Sequence, residues 1–525
     1  MADIHQLKSR KQLLSQLYEG GGVWDVVIIG GGATGLGTAI EATTKGYKTL
    51  LLEQADFAKG TSSRSTKLVH GGVRYLEQGN VKLVREAAVE RGLLYKNAPH
   101  LVKNQQFIIP VYTWWDKWKF TIGLTLYDWL SGSLSMGNSK AISRKETMQR
   151  LPGVKCRGLV GGVVYHDGQF DDSRLAINLM QTVLANGGVA VNYTKVTGLL
   201  KQNGKVSGVA ATDIETGQSF EVQAKSVVNA TGVFVDDILH MDDPGKPKTI
   251  CVSQGVHLVI GKEYYPSAEA LMIPKTSDGR VLFAVPWHNK VILGTTDTPI
   301  GEASAEPRAL EKEIDFIIET ASGYLDKKPT RGNVLSVYAG LRPLAAPQGE
   351  LQKTKEISRS HKIIVSPSGL FTILGGKWTT YRKMGEDLVH TIEENMGWPF
   401  KKSTTANATI FSAGNPADWS DPFYFYGKYT PEIHAMVKAD ADGWLSKELL
   451  IHQAQVLWAV KHEMCRTVED MLSRRTRALL LNAKESIRMA PAVASIMAVE
   501  LGKNEEWIQQ QVGSYTALAQ QYVIA

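Results

Sequence analysis

Asp25-Val26-Val27-Ile28-Ile29-Gly30-Gly31-Gly32-Ala33-Thr34-Gly35 is a β-branched apolar run that stops on a glycine-rich turn. The run predicts a buried parallel strand, because a strand covered on both faces needs no polar alternation. Gly30, Gly32 and Gly35 fall on the spacing G-x-G-x-x-G. Leu36 to Lys45 then predicts a helix with small residues toward the sheet, and Lys48 to Leu52 a second strand that ends in Glu53. Together these form a βαβ unit that binds a dinucleotide. Gly30 permits the tight turn, Gly32 lets the backbone approach a pyrophosphate, and Gly35 lets helix and strand pack closely. The helix N-terminus offers N–H groups to the phosphates. Glu53, about 20 residues on, can accept ribose hydroxyls.

The next segment separates NAD from FAD. Gly60-Thr61-Ser62-Ser63-Arg64-Ser65-Thr66-Lys67 is a polar loop of small residues. It can donate hydroxyls and N–H groups to a diphosphate and a flavin ring, where a nicotinamide enzyme more often continues with another regular βα unit. FAD is the expected cofactor; the competing reading is an ordinary surface loop.

The bulk numbers narrow the partners. The chain has 525 residues and a net charge of +7. That mild excess suits an anionic substrate, an anionic membrane surface or nucleic acid. No basic arm or zinc-finger spacing is present, so nucleic acid is not expected. Cys156, Cys251 and Cys465 lie far apart without C-x-x-C, which argues against a disulfide framework and suits the cytoplasm. His462-Glu463-Met464-Cys465-Arg466 begins like a zinc-protease helix, but Arg466 stands where the second histidine must be, so no metal site is expected. Met1 to Tyr18 has no apolar signal region, and no run is long enough to span a bilayer. Membrane contact would therefore be peripheral. Leu175 to Thr194 predicts an amphipathic helix, a turn and a strand.

Further motifs are Thr61-Ser62-Ser63-Arg64-Ser65-Thr66-Lys67-Leu68-Val69-His70-Gly71-Gly72-Val73-Arg74-Tyr75-Leu76-Glu77, Asp171-Asp172-Ser173-Arg174-Leu175, Val228-Asn229-Ala230-Thr231-Gly232, Gly294-Thr295-Thr296-Asp297, Gly340-Leu341-Arg342-Pro343-Leu344 and Gly375-Gly376-Lys377-Trp378-Thr379-Thr380-Tyr381-Arg382-Lys383. On these, which with the nucleotide fingerprint cover the chain up to its C-terminal part in order and spacing, the chain resembles the flavin-dependent glycerol-3-phosphate dehydrogenases, relatives of the glycine and D-amino-acid oxidase group; the C-terminal part matches only in length and helical character. Two departures stand out. Val233-Phe234 replaces the family's Pro-Trp, and Met1 to Gly22 is longer than in many relatives.

The resemblance implies an α/β (α+β) fold. Its FAD-binding Rossmann-like domain, of the glutathione-reductase/D-amino-acid-oxidase type, would be discontinuous, over about 23–78, 158–244 and 335–398. An antiparallel-sheet substrate domain would use about 79–157 and 245–334. These make an oxidoreductase region over 1–398, followed by a C-terminal helical domain over 399–525. Within the second visit, Val191–Leu200, Lys205–Ile214 and Glu221–Val228 predict strands, with turns at Asn203-Gly204 and Thr216-Gly217. Pro399, Lys401–Asn407 and Asn415-Pro416 mark a linker. Beyond it, Val456, Val460, Met464 and Val468 recur at i+4 and predict one apolar helix face.

The implied reaction oxidises sn-glycerol 3-phosphate to dihydroxyacetone phosphate, with hydride passing to FAD. Arginine forks match phosphate oxygens. Arg342 and Arg359 are the phosphate candidates, with Arg74 and Tyr75 lining the same cavity. His70 or His257 would take the hydroxyl proton, and Arg342 can share that role. Lys377 would line the substrate site and stabilise the reduced flavin. The cofactor set is Gly30, Gly32, Gly35, Glu53, Thr61, Ser62, Ser65, Lys67, Gly71, Gly232, Gly376 and Lys377. Electrons would pass to a membrane quinone, ubiquinone or menaquinone, with the protein bound peripherally to the cytoplasmic face of the cell membrane. Val111-Tyr112-Thr113-Trp114-Trp115-Asp116-Lys117-Trp118-Lys119-Phe120 interleaves aromatics and lysines, as an anionic membrane surface favours; a core helix or loop is the alternative. An oxygen-using glycerol-3-phosphate oxidase and an amine-oxidising relative are the competing functions, and a homodimer stays open.

Overall fold

The strand Trp24–Ile29 is the axis of the first sheet. Val26, Val27 and Ile28 are fully buried there. The computed structural model describes residues 3–20, 22–72, 80–277, 279–345, 361–414 and 416–524. Trp24–Ile29 pairs in parallel with Thr49–Leu52 and Ser219–Asn229, Ile28 lying opposite Leu51 and Val228. Val189–Val191 and Leu370–Leu374 extend the parallel set on either side, and Lys362–Val365 closes one edge antiparallel. The parallel strands run the same way, so their carboxyl ends share one edge. Gly30, Glu53, Ala230 and Gly375 follow directly on those ends. This is the edge at which parallel α/β sheets bind ligands.

The second sheet is built mostly of antiparallel pairs. Ile250–Gly261 pairs along its length with Val334–Ala345 and also with Lys290–Gly294. Leu282–Trp287, Ala270–Ile273, Val102–Val111, Gly161–Phe170 and Leu68–Val69 complete the order. Ala270–Ile273 lies parallel to Val102–Val111. Gly161–Phe170 and Val334–Ala345 fall inside the segments expected in the FAD half, yet both pair in this sheet. The chain returns to the first sheet only after these long strands end.

Asp172–Ala185 departs from the amphipathic expectation: every residue from Asp172 to Val183 is buried. Its polar residues find internal partners instead of water. Asn178 bonds His100 and Gln181, and Arg174 forms a two-point pair with Glu463 at 2.6 and 2.7 Å. The expected single face through Val456 and Val468 is also cut. The helix Gln453–His462 ends first, and Met464 takes a left-handed φ of 49°. Val456, Met464 and Val468 are all buried, but on separate pieces. Glu463 is held by Arg174 and Arg475.

The long N-terminal segment packs as structure. The helix Arg10–Tyr18 buries Leu13, Leu14 and Leu17, and Arg10 donates to Asp213 at 2.6 Å. Among the described residues, no helix is long and apolar enough to cross a membrane.

Candidate active site

A cavity of about 730 Å³ opens between the carboxyl edge of the first sheet and one face of the second. The Thr61–Gly72 stretch and Gly375–Thr379 supply one side. His257, Phe283 and Arg342, on second-sheet strands, supply the other.

The nucleotide turn is shaped by close backbone approach. Gly30 has a φ of 109°, and a Cβ at Gly35 would overlap the Gly30 carbonyl. The helix Ala33–Thr44 starts at Gly32 without a side-chain cap, so its first turn presents N–H groups to a phosphate. Of these, Ala33 N–H donates to Ser62 Oγ at 3.0 Å. Glu53 is pinned, its two oxygens accepting from Gly31 N–H at 2.6 Å and Ala55 N–H at 2.8 Å. Burial raises the Glu53 pKa. A fixed carboxylate beside a glycine turn and a helix start fits the adenosine ribose and diphosphate of FAD.

The Ser/Thr loop contributes shape more than direct contact. Lys67 is wholly buried; its ammonium donates to both oxygens of Asp172, at 2.7 and 2.8 Å, and to the Ser63 carbonyl at 2.6 Å. Ser65 Oγ donates to Asp172 at 2.7 Å. The Lys67 ammonium is thus engaged inside the protein, while Ser65 still lines the cavity. They fold the loop, and an unpaired buried ammonium would be far costlier than this pairing. Thr61 donates to the Leu341 carbonyl at 2.6 Å, and Trp378 Nε1 to the Ser62 carbonyl at 2.8 Å. Gly71 N–H donates to the Tyr127 hydroxyl at 2.8 Å. Gly232 and Gly376, with φ of 62° and 88°, follow the ends of the strands Ser219–Asn229 and Leu370–Leu374.

Arg342 stands on the strand Val334–Ala345, not on a loop between its glycine and proline neighbours. Its guanidinium contacts the Thr296 carbonyl at 3.1 Å, Thr295 Oγ1 at 3.3 Å and Asp297 at 3.3 Å. A Cβ at Gly255 would overlap the guanidinium, so the neighbouring strand makes room for it. His257 bonds Thr66 Oγ1 at 2.8 Å and stacks on Tyr338 with centroids 4.8 Å apart. Burial, Arg342 and Lys67 together push its pKa well below the usual histidine range. His257 is thus a neutral imidazole near neutral pH. His70 and Lys377 line the same cavity. Arg74, Tyr75 and Arg359 lie outside the described residues.

Several neighbours of these groups are given no role by the sequence reading. Thr66 and Tyr338 position His257, and Asp297 meets Arg342. The Gly294–Asp297 motif carries the resemblance but assigns no role to its side chains. Arg280 also lines the cavity.

A glycine turn with a pinned acid, at the edge of a parallel sheet facing a largely antiparallel one, defines a dinucleotide-binding protein, and its relatives make it a flavoprotein. The FAD dependent oxidoreductase family matches residues 25–382, and the C-terminal domain of alpha-glycerophosphate oxidase matches 373–508. The chain belongs to this oxidoreductase family and, within it, to the FAD-dependent glycerol-3-phosphate dehydrogenases. It is 38% identical to the mitochondrial glycerol-3-phosphate dehydrogenase of Homo sapiens over 529 residues, covering 93% of this chain and 72% of the relative. The corresponding enzyme of Schizosaccharomyces pombe is 36% identical, with 94% and 86% covered. The solved structure of the glycerol-3-phosphate dehydrogenase from Bacillus halodurans, complexed with FAD, superposes with a TM-score of 0.79 at 30% identity, covering 98% of this chain and 97% of that one.

Proposed function

We propose that this chain oxidises sn-glycerol 3-phosphate at its central alcohol to dihydroxyacetone phosphate and passes the electrons to a membrane quinone. The observation that carries the reading is Arg342, set in the wall of a cavity that also opens on Gly375–Lys377 at the carboxyl edge of the first sheet. FAD, when bound, supplies the hydride acceptor. Arg342 holds the substrate phosphate through its planar fork. His257, neutral and fixed by Thr66, or His70 receives the hydroxyl proton. The cationic charge of Arg342 favours the alkoxide that forms as the proton leaves. Lys377, in the same cavity wall, would offer positive charge to a flavin bound there.

The membrane part of the reading rests on the helix Trp114–Ser131. Trp114, Trp115, Trp118, Ile122 and Trp129 are 65–78% exposed, and at about 100° per residue they fall on one face. Lys117 and Lys119 flank that face. Such a surface suits the interface of an anionic bilayer, here the cytoplasmic face of the cell membrane.

Anaerobic holoenzyme mixed with glycerol 3-phosphate should bleach its flavin, and glycine or sarcosine should not. Bleaching by an amine and not by the phosphate ester would overturn the substrate. Reoxidation should be fast with a quinone analogue and slow in air-saturated buffer. Rapid stoichiometric peroxide formation, unaffected by quinone, would make the protein an oxidase.

A further inference from the structure

A second cavity, of about 270 Å³, shares no lining residue with the first. Lys103, Lys262, Trp287, His288, Trp419 and Tyr424 form its working surface. Its charge is one-sided. Asp171 also lines it, but that carboxylate is held by Arg477 at 2.9 Å, with His288 at 3.7 Å. Lys290 is paired with Glu448 at 2.8 Å. Lys103 and Lys262 carry no ion pair among the described residues; Lys103 lies over the Trp419 ring at 5.8 Å. Burial and the like charge of Lys262 depress the Lys103 pKa. Lys103 is half-buried and feels the like charge of the exposed Lys262, and an anion placed between the two ammonium groups would relieve that repulsion.

The rest of the lining is largely aromatic. Trp419 leans on Tyr424 at 4.6 Å, Tyr424 stacks on His288 at 5.9 Å, and Trp287 meets His288 edge-on at 5.0 Å. His288 and Asn289 form the tip of the hairpin between Leu282–Trp287 and Lys290–Gly294, with φ of 44° and 60°. Both central residues thus take the positive φ that a two-residue hairpin turn favours.

The cavity also touches the machinery of the first. The Trp287 ring lies 5.3 Å from Lys67 Nζ, the ammonium that folds the Ser/Thr loop. Phe170, another lining residue, packs edge-on against Trp378 at 5.6 Å, and Trp378 holds the Ser62 carbonyl. One side chain of this cavity therefore meets the loop at Lys67, and another reaches it through Trp378.

We infer that this cavity is a regulatory site for a small phosphomonoester dianion, its phosphate between Lys103 and Lys262 and its carbon portion against Trp419 and Tyr424, and that occupancy shifts the Ser/Thr loop. The dianion matches two ammonium groups that carry no ion pair among the described residues, and a cavity of about 270 Å³ has room for a small phosphate ester. The coupling to the loop rests on the proposed cofactor site; the binding does not.

The probe is inorganic phosphate, titrated calorimetrically into holoenzyme. The parent should show two binding events. Arg342→Ala should weaken one and keep the other. K262Q should weaken the other by about tenfold or more while leaving basal turnover unchanged, and K103Q should do the same. Phosphate added to Arg342→Ala should shift the flavin absorption bands, and adding K262Q to that variant should abolish the shift. Lys262 is exposed, so K262Q keeps the test clear of folding failure. Loss of all phosphate binding in Arg342→Ala, or unchanged binding in K262Q, would overturn the site. Binding without a flavin shift would overturn the coupling. Equal phosphate binding by parent and Arg342→Ala, with a deficit in K262Q, would instead place the failure in the substrate-site reading.

Discussion

Arg475 is fully buried, with its terminal nitrogens 2.6 and 2.9 Å from Asp56, and Arg474 reaches the same carboxylate at 2.6 Å. Arg342 stands in a cavity wall with its side chain 25% exposed, and its contacts to Thr295, Thr296 and Asp297 are 3.1–3.3 Å. The residue type is the same and the surroundings differ. Around Asp56 the guanidiniums complete a closed network that ties the Asp470–Arg475 turn to the segment after Glu53. Around Arg342 a glycine has been placed to leave space. Charge alone does not mark a ligand-binding arginine; the room left around it does.

The largest effect should come from opening the closed network. Asp56→Ala leaves two buried guanidiniums without their shared carboxylate and should cost about 3–5 kcal/mol of stability. Urea denaturation of the holoenzyme measures it, and a loss under about 1 kcal/mol would erase the distinction between the two regions. Arg342→Ala should do the reverse. Its kcat/KM for glycerol 3-phosphate should fall by about 2–4 kcal/mol in transition-state terms, with flavin content and melting temperature close to the parent. Equal activity at low substrate concentration would remove Arg342 from the phosphate site.

Acid sharpens the comparison further. Burial raises the Asp56 pKa, but Arg475 and Arg474 more than offset it and hold the group at about 2. A depressed carboxylate stabilises the fold fully above its unfolded value, near 3.8, and that contribution fades as pH falls toward 2. Parent protein should therefore lose stability across that window, and Asp56→Ala should show a flatter acid limb in pH-dependent melts. Parallel limbs would contradict the assignment. The smallest change in stability should follow Trp115→Ser with Trp118→Ser, within about 0.5 kcal/mol, because both rings are exposed. The same pair should lower co-sedimentation with anionic vesicles. Undiminished sedimentation of the folded variant would exclude that face.

What the sequence disclosed follows from how far each signal reaches along the chain. The turn Gly30–Gly35 and Glu53 were legible because strand, turn, helix and acid lie within one short unit. The strand pairs around Asn203-Gly204 were legible for the same reason: positive φ at both residues is a local demand. The Lys67–Asp172 pair was not legible, because the two residues lie 105 apart in the chain and nothing local announces the pairing. Asn178 and Gln181 looked like a solvent face because polarity in a helix usually means water; here His100 and the His462 carbonyl take that place. The run Arg474-Arg475-Thr476-Arg477 carried no periodic pattern, and Asp56, far upstream, decides its fate. Tyr338 behind His257 was hidden likewise, since cross-strand neighbours are set by register.

The first sheet draws its strands from three distant stretches: Trp24–Ile29 with Thr49–Leu52, then Val189–Val191 with Ser219–Asn229, then Lys362–Val365 with Leu370–Leu374. During synthesis the glycine turn leaves the ribosome early, and the Gly375 corner follows on the order of tens of seconds later at about 5–20 residues per second. From its own synthesis until then, the end of the Ser219–Asn229 strand presents an unpaired edge where Leu370–Leu374 will later dock. The growing chain is then most exposed to mispairing with its neighbours, and slow translation of the middle third prolongs that exposure. Arrival of Leu370–Leu374 closes the edge and brings up the Gly375–Lys377 corner in the same event, so completion of the sheet and completion of the site coincide.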